Sequence, residues 1–223
     1  MIEKNNVSAQ AQVKRRNYIE IFDNGGKINV LFIGNSITRH EPKPEIGWAN
    51  DWGMAASKKE NDYVHVTVKL LEEKLGKINY CIANCGEWEL NYHQDNLLAE
   101  WKKARDFKAD IVIIRIGENI WQARENFEEA PIEPHYAKMV EYFCSNPSAD
   151  VILTDLFWGN EQIDQVIRKV AREKGYKLVE LGDLGERGEN MAIGKFWHKG
   201  VAIHPNDNGM RKIAERIVEK VEL

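Results

Sequence analysis

Five short apolar runs, separated by stretches of helical periodicity, leave this chain few ways to fold. They are Ile28–Ile33, Ile78–Ala83, Ile111–Ile116, Val151–Leu156 and Lys177–Leu181. Their β-branched and large apolar residues suit strands buried on both faces. Between them, Tyr63 to Leu75 carries Val64, Val68, Leu71 and Leu75 as a helical stripe. Asn96 to Phe107, Glu133 to Phe143, Gln162 to Lys174 and Asn208 to Val221 repeat that periodicity. Parallel strands need long crossovers, so this alternation points to a parallel sheet covered by helices. Right-handed crossovers put helices on both faces.

The fold class expected is α/β: a three-layer α/β/α sandwich on a five-stranded parallel sheet, in the flavodoxin-like order 2-1-3-4-5. No repeat, low-complexity tract or Pro/Gly-rich linker divides the 223 residues. Residues 28–223 read as one domain after an N-terminal extension, 1–27. Net charge is −4, and lysine and arginine are spread along the chain. That gives no electrostatic case for a nucleic-acid partner. No apolar run reaches the length of a membrane span, and Met1 to Arg16 lacks the apolar core of a secretory signal. The expectation is a cytoplasmic protein with no membrane partner. Cys81, Cys85 and Cys144 are odd in number and have no framework spacing, which reads as reduced thiols. No His or Cys lies at zinc-type spacing beside Cys81 and Cys85, so no metal is expected there.

The loops after the strands should gather at one edge of the sheet, where ligands bind in open α/β folds. They begin Gly34-Asn35-Ser36, Asn84-Cys85-Gly86, Gly117-Glu118-Asn119 and Phe157-Trp158-Gly159, and the fifth runs on to His204. Gly34 frees the backbone to turn and leaves Ser36 where a buried strand stops. Ser36 is therefore a candidate nucleophile; the plainer reading is a turn or helix cap. Pro205 and the helix-start pattern Asn206-Asp207-Asn208 fix the position of His204 better than that of His198, six residues upstream. His40, His65, His93 and His135 show no partner pattern and read as surface or packing residues.

In order, Gly34-Asn35-Ser36-Ile37-Thr38, Asn84-Cys85-Gly86, Gly117-Glu118-Asn119 and His204-Pro205-Asn206-Asp207 resemble the four sequence blocks of SGNH (GDSL-type) hydrolases. The resemblance spans roughly residues 28–220. It implies a serine esterase in which Ser36 is the nucleophile and His204 the general base, with no metal or organic cofactor. The Ser36 N–H, the Gly86 N–H and the Asn119 side-chain amide would form the oxyanion hole. These roles are chemically coherent: a serine hydroxyl needs a base within reach, and a tetrahedral oxyanion needs preorganised donors.

Four departures accompany the resemblance. Asn35 replaces the family's aspartate, Glu89 stands where a second-block glycine is common, and Ile120 follows Asn119 in place of an aspartate. Val201 occupies the usual position of the triad acid, three residues before His204. A backbone carbonyl could hold the imidazole instead, or Asp155 or Asp183 could reach it, or the site is weak or inactive. The rival functions are a ligand-binding module that has lost the triad acid, and a phosphate or nucleotide binder using the Gly34-Asn35-Ser36 turn. The turn lacks a Gly-rich phosphate signature.

Six of the seven tryptophans fall in or near loops at the expected site edge. Trp88, Trp121 and Trp158 are the candidates for a substrate pocket, since indole faces stack on sugar rings or line acyl pockets. That favours an acylated carbohydrate or another small ester, against the alternative that they are core or lid packing. Arg39 to Ser57, rich in Pro, Gly and Trp, reads as an insertion beside Ser36, either a lid or a contact in a homo-oligomer.

Overall fold

The computed structural model describes residues 18–222. The polar segment Met1 to Arg16 lies outside the described residues. One mixed sheet organises the chain. Its strands are β1 (Tyr18–Phe22), β2 (Ile28–Gly34), β3 (Ile78–Asn84), β4 (Ile111–Arg115), β5 (Asp150–Thr154) and β6 (Lys177–Val179). Their order is β1-β3-β2-β4-β5-β6. The last five are parallel and follow the expected 2-1-3-4-5 arrangement.

The sheet has six strands rather than five. Tyr18–Phe22, assigned by sequence to the extension, pairs antiparallel with β3 and extends the sheet beyond it. Phe22 stacks on Tyr80 with ring centroids 4.3 Å apart. A five-residue strand with a central glutamate gives little periodic signal. It forms because β3 would otherwise present an open edge.

Helices cover both faces. On one side α1 (Tyr63–Leu75) and α5 (Asp207–Lys220) press Val64, Leu71, Ile213 and Ile217 onto Val30, Phe32, Ile111 and Ile113. On the other, α3 (Ile132–Phe143) and α4 (Glu161–Lys174) bring Met139, Phe143, Ile167 and Val170 against Leu31, Ile33, Val112 and Ile114. Alternate residues of β2 and β4 therefore feed two separate cores. The short helix α2 (Gly86–Asn91) follows β3 and lies beside the site. Asn96 to Phe107, expected as one helix, is a 3₁₀ turn, Leu97–Trp101, followed by the short helix Lys102–Asp106. The break comes at Trp101, which leaves helical geometry while its indole N–H donates to Asn84 O at 2.8 Å. Cys81 and Cys85 are buried. No helix among the described residues is long and apolar enough to cross a membrane.

Candidate active site

β2 delivers Ser36 through a turn that only glycine permits. A Cβ on Gly34 would lie 1.8 Å from Thr38 Oγ1 and 2.8 Å from Arg115 O. Beyond it, Thr38 N and Arg39 N both donate to Asn35 O at 3.0 Å, and Ile37 N donates to Asn35 Oδ1 at 3.2 Å. These bonds use the amides of Ile37, Thr38 and Arg39, and Ser36 between them and Gly34 lines the cavity.

His204 reaches the same point from the opposite end of the chain. The segment before α5 is tied down by an Ala192 N to His204 O bond of 2.9 Å and by Asn206, whose side chain caps the helix. Ser36 Oγ lies 2.9 Å from His204 Nε2, and His204 Nδ1 lies 2.6 Å from Gly200 O. A carbonyl oxygen only accepts, so Nδ1 carries the proton and Nε2 is left to accept from the serine hydroxyl. Burial pushes the His204 pKa down to about 3, against the raising effect of the Gly200 carbonyl. The Trp158 ring covers the imidazole edge-to-face at 4.9 Å. In the free protein this histidine is neutral.

The carboxylates weighed as a third member are committed elsewhere. Asp155 pairs with Arg168 at 2.7 Å and accepts from Leu181 N at 2.5 Å. Asp183 is held by Arg216. Val201 packs with Trp48, Met54, Ala55 and Ala192. The imidazole is thus oriented by the Gly200 backbone carbonyl, the first of the options left open by sequence.

Asn119 lines the same cavity as Ser36 and His204. Its Nδ2 donates to Glu89 Oε2 at 2.6 Å and its Oδ1 accepts from Gln122 at 3.1 Å. Gly86 also faces the cavity, but its N–H donates to Asn84 Oδ1 at 2.8 Å, so the donor expected from this loop is already engaged.

Behind these groups is a buried charge cluster that the spacing of motifs does not reveal. Arg115, at the end of β4, is wholly buried and donates to Glu118 and to Asn35 Oδ1, the latter at 2.5 Å. Asn35 Nδ2 in turn donates to Glu118 Oε2 at 2.7 Å and to Glu89 Oε1 at 3.0 Å. This explains the asparagine: an amide bridges two carboxylates and one guanidinium, which an acceptor-only aspartate cannot do. Burial lowers the Arg115 pKa, but Glu118, Tyr63 and Glu89 together raise it above its ordinary value. The signal in the sequence was Arg115 itself, since a fully buried arginine demands anionic partners.

The cavity above Ser36 measures about 980 Å³ and is lined by Asn119, Gly86, His198 and the wall Arg39–Lys43. The segment 39–57 forms that wall, held by Met54 N to Ser36 O at 2.9 Å and His40 N to Trp52 O at 2.9 Å. His40 therefore lines the site rather than an unrelated surface. The tryptophan candidates do not line it. Trp88 is 1% exposed and packs on Tyr92 and Tyr136, while Trp121 is 48% exposed outside the cavity. Trp158 touches the site only through His204, with its N–H on Ile203 O at 3.2 Å. Of the six loop tryptophans, Trp48 and Trp88 are buried and Trp52 and Trp158 pack against the cores, whereas Trp121 and Trp197 are exposed. Among the described residues, no cluster of His, Cys, Asp or Glu is arranged to hold a metal ion.

Similar folds occur among esterases. A catalytic mutant of an acetylxylan esterase from Geobacillus stearothermophilus superposes with a TM-score of 0.56 at 20% identity, covering 89% of this chain and 95% of that one. A lipase from a goat rumen metagenome gives 0.56 at 16%, covering 87% and 97%. An acetyl xylan esterase gives 0.52 at 20%, covering 87% and 100%. At such identities the likeness shows the fold. No curated protein matches the sequence. The family model described as GDSL-like lipase/acylhydrolase matches residues 32–212, most of the chain, and the protein therefore belongs to that family of ester-hydrolysing enzymes.

Proposed function

We propose that the protein is a serine esterase that acylates Ser36 and acts on acylated carbohydrates or other small esters. The observation that carries this reading is the Ser36 Oγ–His204 Nε2 distance of 2.9 Å, with the imidazole tautomer fixed by Gly200 O. Ser36 Oγ attacks the ester carbonyl while Nε2 takes its proton. The Ser36 N–H and an Asn119 Nδ2–H not used by Glu89 receive the oxyanion. The imidazolium then protonates the departing alcohol, and a water activated by the regenerated base releases the acid.

The substrate class rests on the cavity wall. Arg39, His40, Glu41, Lys43, Asn84 and Gln122 offer donors and acceptors to an alcohol rich in hydroxyl groups. The acetylxylan esterases among the similar folds point the same way. Recognition by a polar wall replaces the aromatic cleft expected from the tryptophans.

Turnover of p-nitrophenyl acetate and of acetylated xylo-oligosaccharides tests the reading. Ser36→Ala and His204→Ala should each lose about 10⁴-fold or more in kcat. Equal background in the wild type and both variants would instead favour the binding module.

A further inference from the structure

We propose that Glu89 is a positioning residue of the oxyanion side: its carboxylate fixes the Asn119 amide and the loop Gly117–Asn119 opposite Ser36. The inference rests on the esterase reading above and deepens it. Glu89 projects from α2 and is completely buried. Its Oε1 accepts from Gly117 N at 2.8 Å, Asn35 Nδ2 at 3.0 Å and Asn119 N at 3.1 Å. Its Oε2 accepts from Asn119 Nδ2 at 2.6 Å. All four partners are N–H donors, and three of the four bonds go to the loop that carries Asn119.

The position is otherwise hard to account for. A carboxylate placed only to stabilise the fold would do better at the surface, because ionising a buried one is costly. Here the carboxylate spans α2, the Ser36 turn and the Asn119 loop, three elements from separate strands. With one hydrogen of Asn119 Nδ2 committed to Glu89, the other has a single orientation left, as an oxyanion donor requires.

The groups facing Glu89 set how it titrates. Glu118 and Arg115 come from β4 and its loop, Asn35 and Asn119 bond it directly, and the buried Cys85 thiol and Tyr136 phenol feel its charge. Burial, reinforced by Glu118, raises its pKa to about 7, while the amide donors oppose the rise. Protonation would place an O–H against an N–H donor and release at least one of the four bonds. Burial holds the His204 pKa well below this range, so the acidic limb expected of turnover near neutral pH is that of Glu89, and its loss in Glu89→Gln separates it from His40 and His198, which also line the cavity. Turnover should rise as pH passes upward through about 7.

Glu89→Gln is the test, since the amide keeps the shape and leaves an NH₂ facing at least one donor. The expected result is a kcat lower by about 10²-fold with KM within about threefold. The limb near neutral pH should disappear. Independently of turnover, the Asn119 side-chain ¹H–¹⁵N resonance should move with pH through that range in the wild type and stay fixed in Glu89→Gln. An unchanged kcat and pH profile, with Ser36→Ala inactive, would overturn the role of Glu89 while leaving the esterase reading intact. If Ser36→Ala kept full turnover, the esterase reading would fail. The proposal would then fall too if the Asn119 resonance behaved alike in both proteins.

Discussion

The two sides of Ser36 are held by opposite means. On the histidine side a neutral carbonyl, Gly200 O, orients a buried imidazole. On the amide side a buried carboxylate, Glu89, grips Asn119. A carboxylate beside the imidazole would stabilise the imidazolium that forms during attack, whereas a carbonyl mainly fixes the tautomer. The histidine side therefore gains order with little charge. The amide side bears one positive and two negative groups in Arg115, Glu118 and Glu89, balanced only while amide donors surround them. Order is obtained cheaply on one side and at an electrostatic cost on the other.

The largest effect should come from adding a charge to the costly side. Asn35→Asp would put a third carboxylate between Glu89 and Glu118 and remove two donated hydrogen bonds. A loss of about 3 kcal/mol is expected, in the range for uncompensated buried charges. For a chain of this size that lowers Tm by roughly 6–12 °C. In the Glu89→Gly background the same substitution should cost at least about 1 kcal/mol less, because one repelling carboxylate is gone. Chemical denaturation of the four proteins at pH 8 measures the coupling. Strictly additive losses would show that Asn35 and Glu89 are independent departures from the family pattern rather than a matched pair.

The contrast also explains what could be read from the sequence. Apolar runs report burial on both faces, so the parallel strands, their order and the edge carrying Ser36, Asn119 and His204 followed from periodicity and loop chemistry. The strand Tyr18–Phe22 did not, because an edge strand takes its identity from a neighbour far along the chain, where Phe22 pairs with Tyr80, 58 residues on, at a register no local pattern contains. The cluster was hidden for the same reason: Asn35 meets Glu89 and Glu118 across loops from three strands. Arg115 sat in plain view within an apolar run. Asking what neutralises it would have led to Glu118, three residues on, and then to Glu89.

The two sides should also respond to acid in opposite directions. Glu89 has a raised native pKa, so the stability it contributes is present below its unfolded value and is lost as pH rises through about 7. His204 has a depressed one. Its contribution is present above the unfolded value of about 6.5 and is lost as pH falls towards about 3. At pH 5 the histidine term should cost about 2 kcal/mol relative to pH 7 and above. Urea unfolding of the wild type and His204→Asn between pH 5 and 7 isolates it. The variant should lose correspondingly less stability on acidification, and parallel curves would mean that the native imidazole protonates as freely as the unfolded one.

The smallest expected effect concerns the tryptophans nearest each side. Trp158 packs on the His204 ring and helps keep it dry, so it belongs to the histidine side. Trp121 follows Asn119 by two residues, yet it lies outside the cavity and is 48% exposed, with the Arg124 guanidinium 5.4 Å from its ring centre. Proximity in sequence to Asn119 does not bring it into the cavity that holds Ser36 and His204. Trp121→Ala should leave kcat/KM on acetylated xylo-oligosaccharides within about twofold and stability within about 0.5 kcal/mol, as at other surface sites. A rise in KM on the oligosaccharide, with none on p-nitrophenyl acetate, would extend the substrate surface beyond the polar wall to this indole. It would also make the amide side the one that reads the sugar.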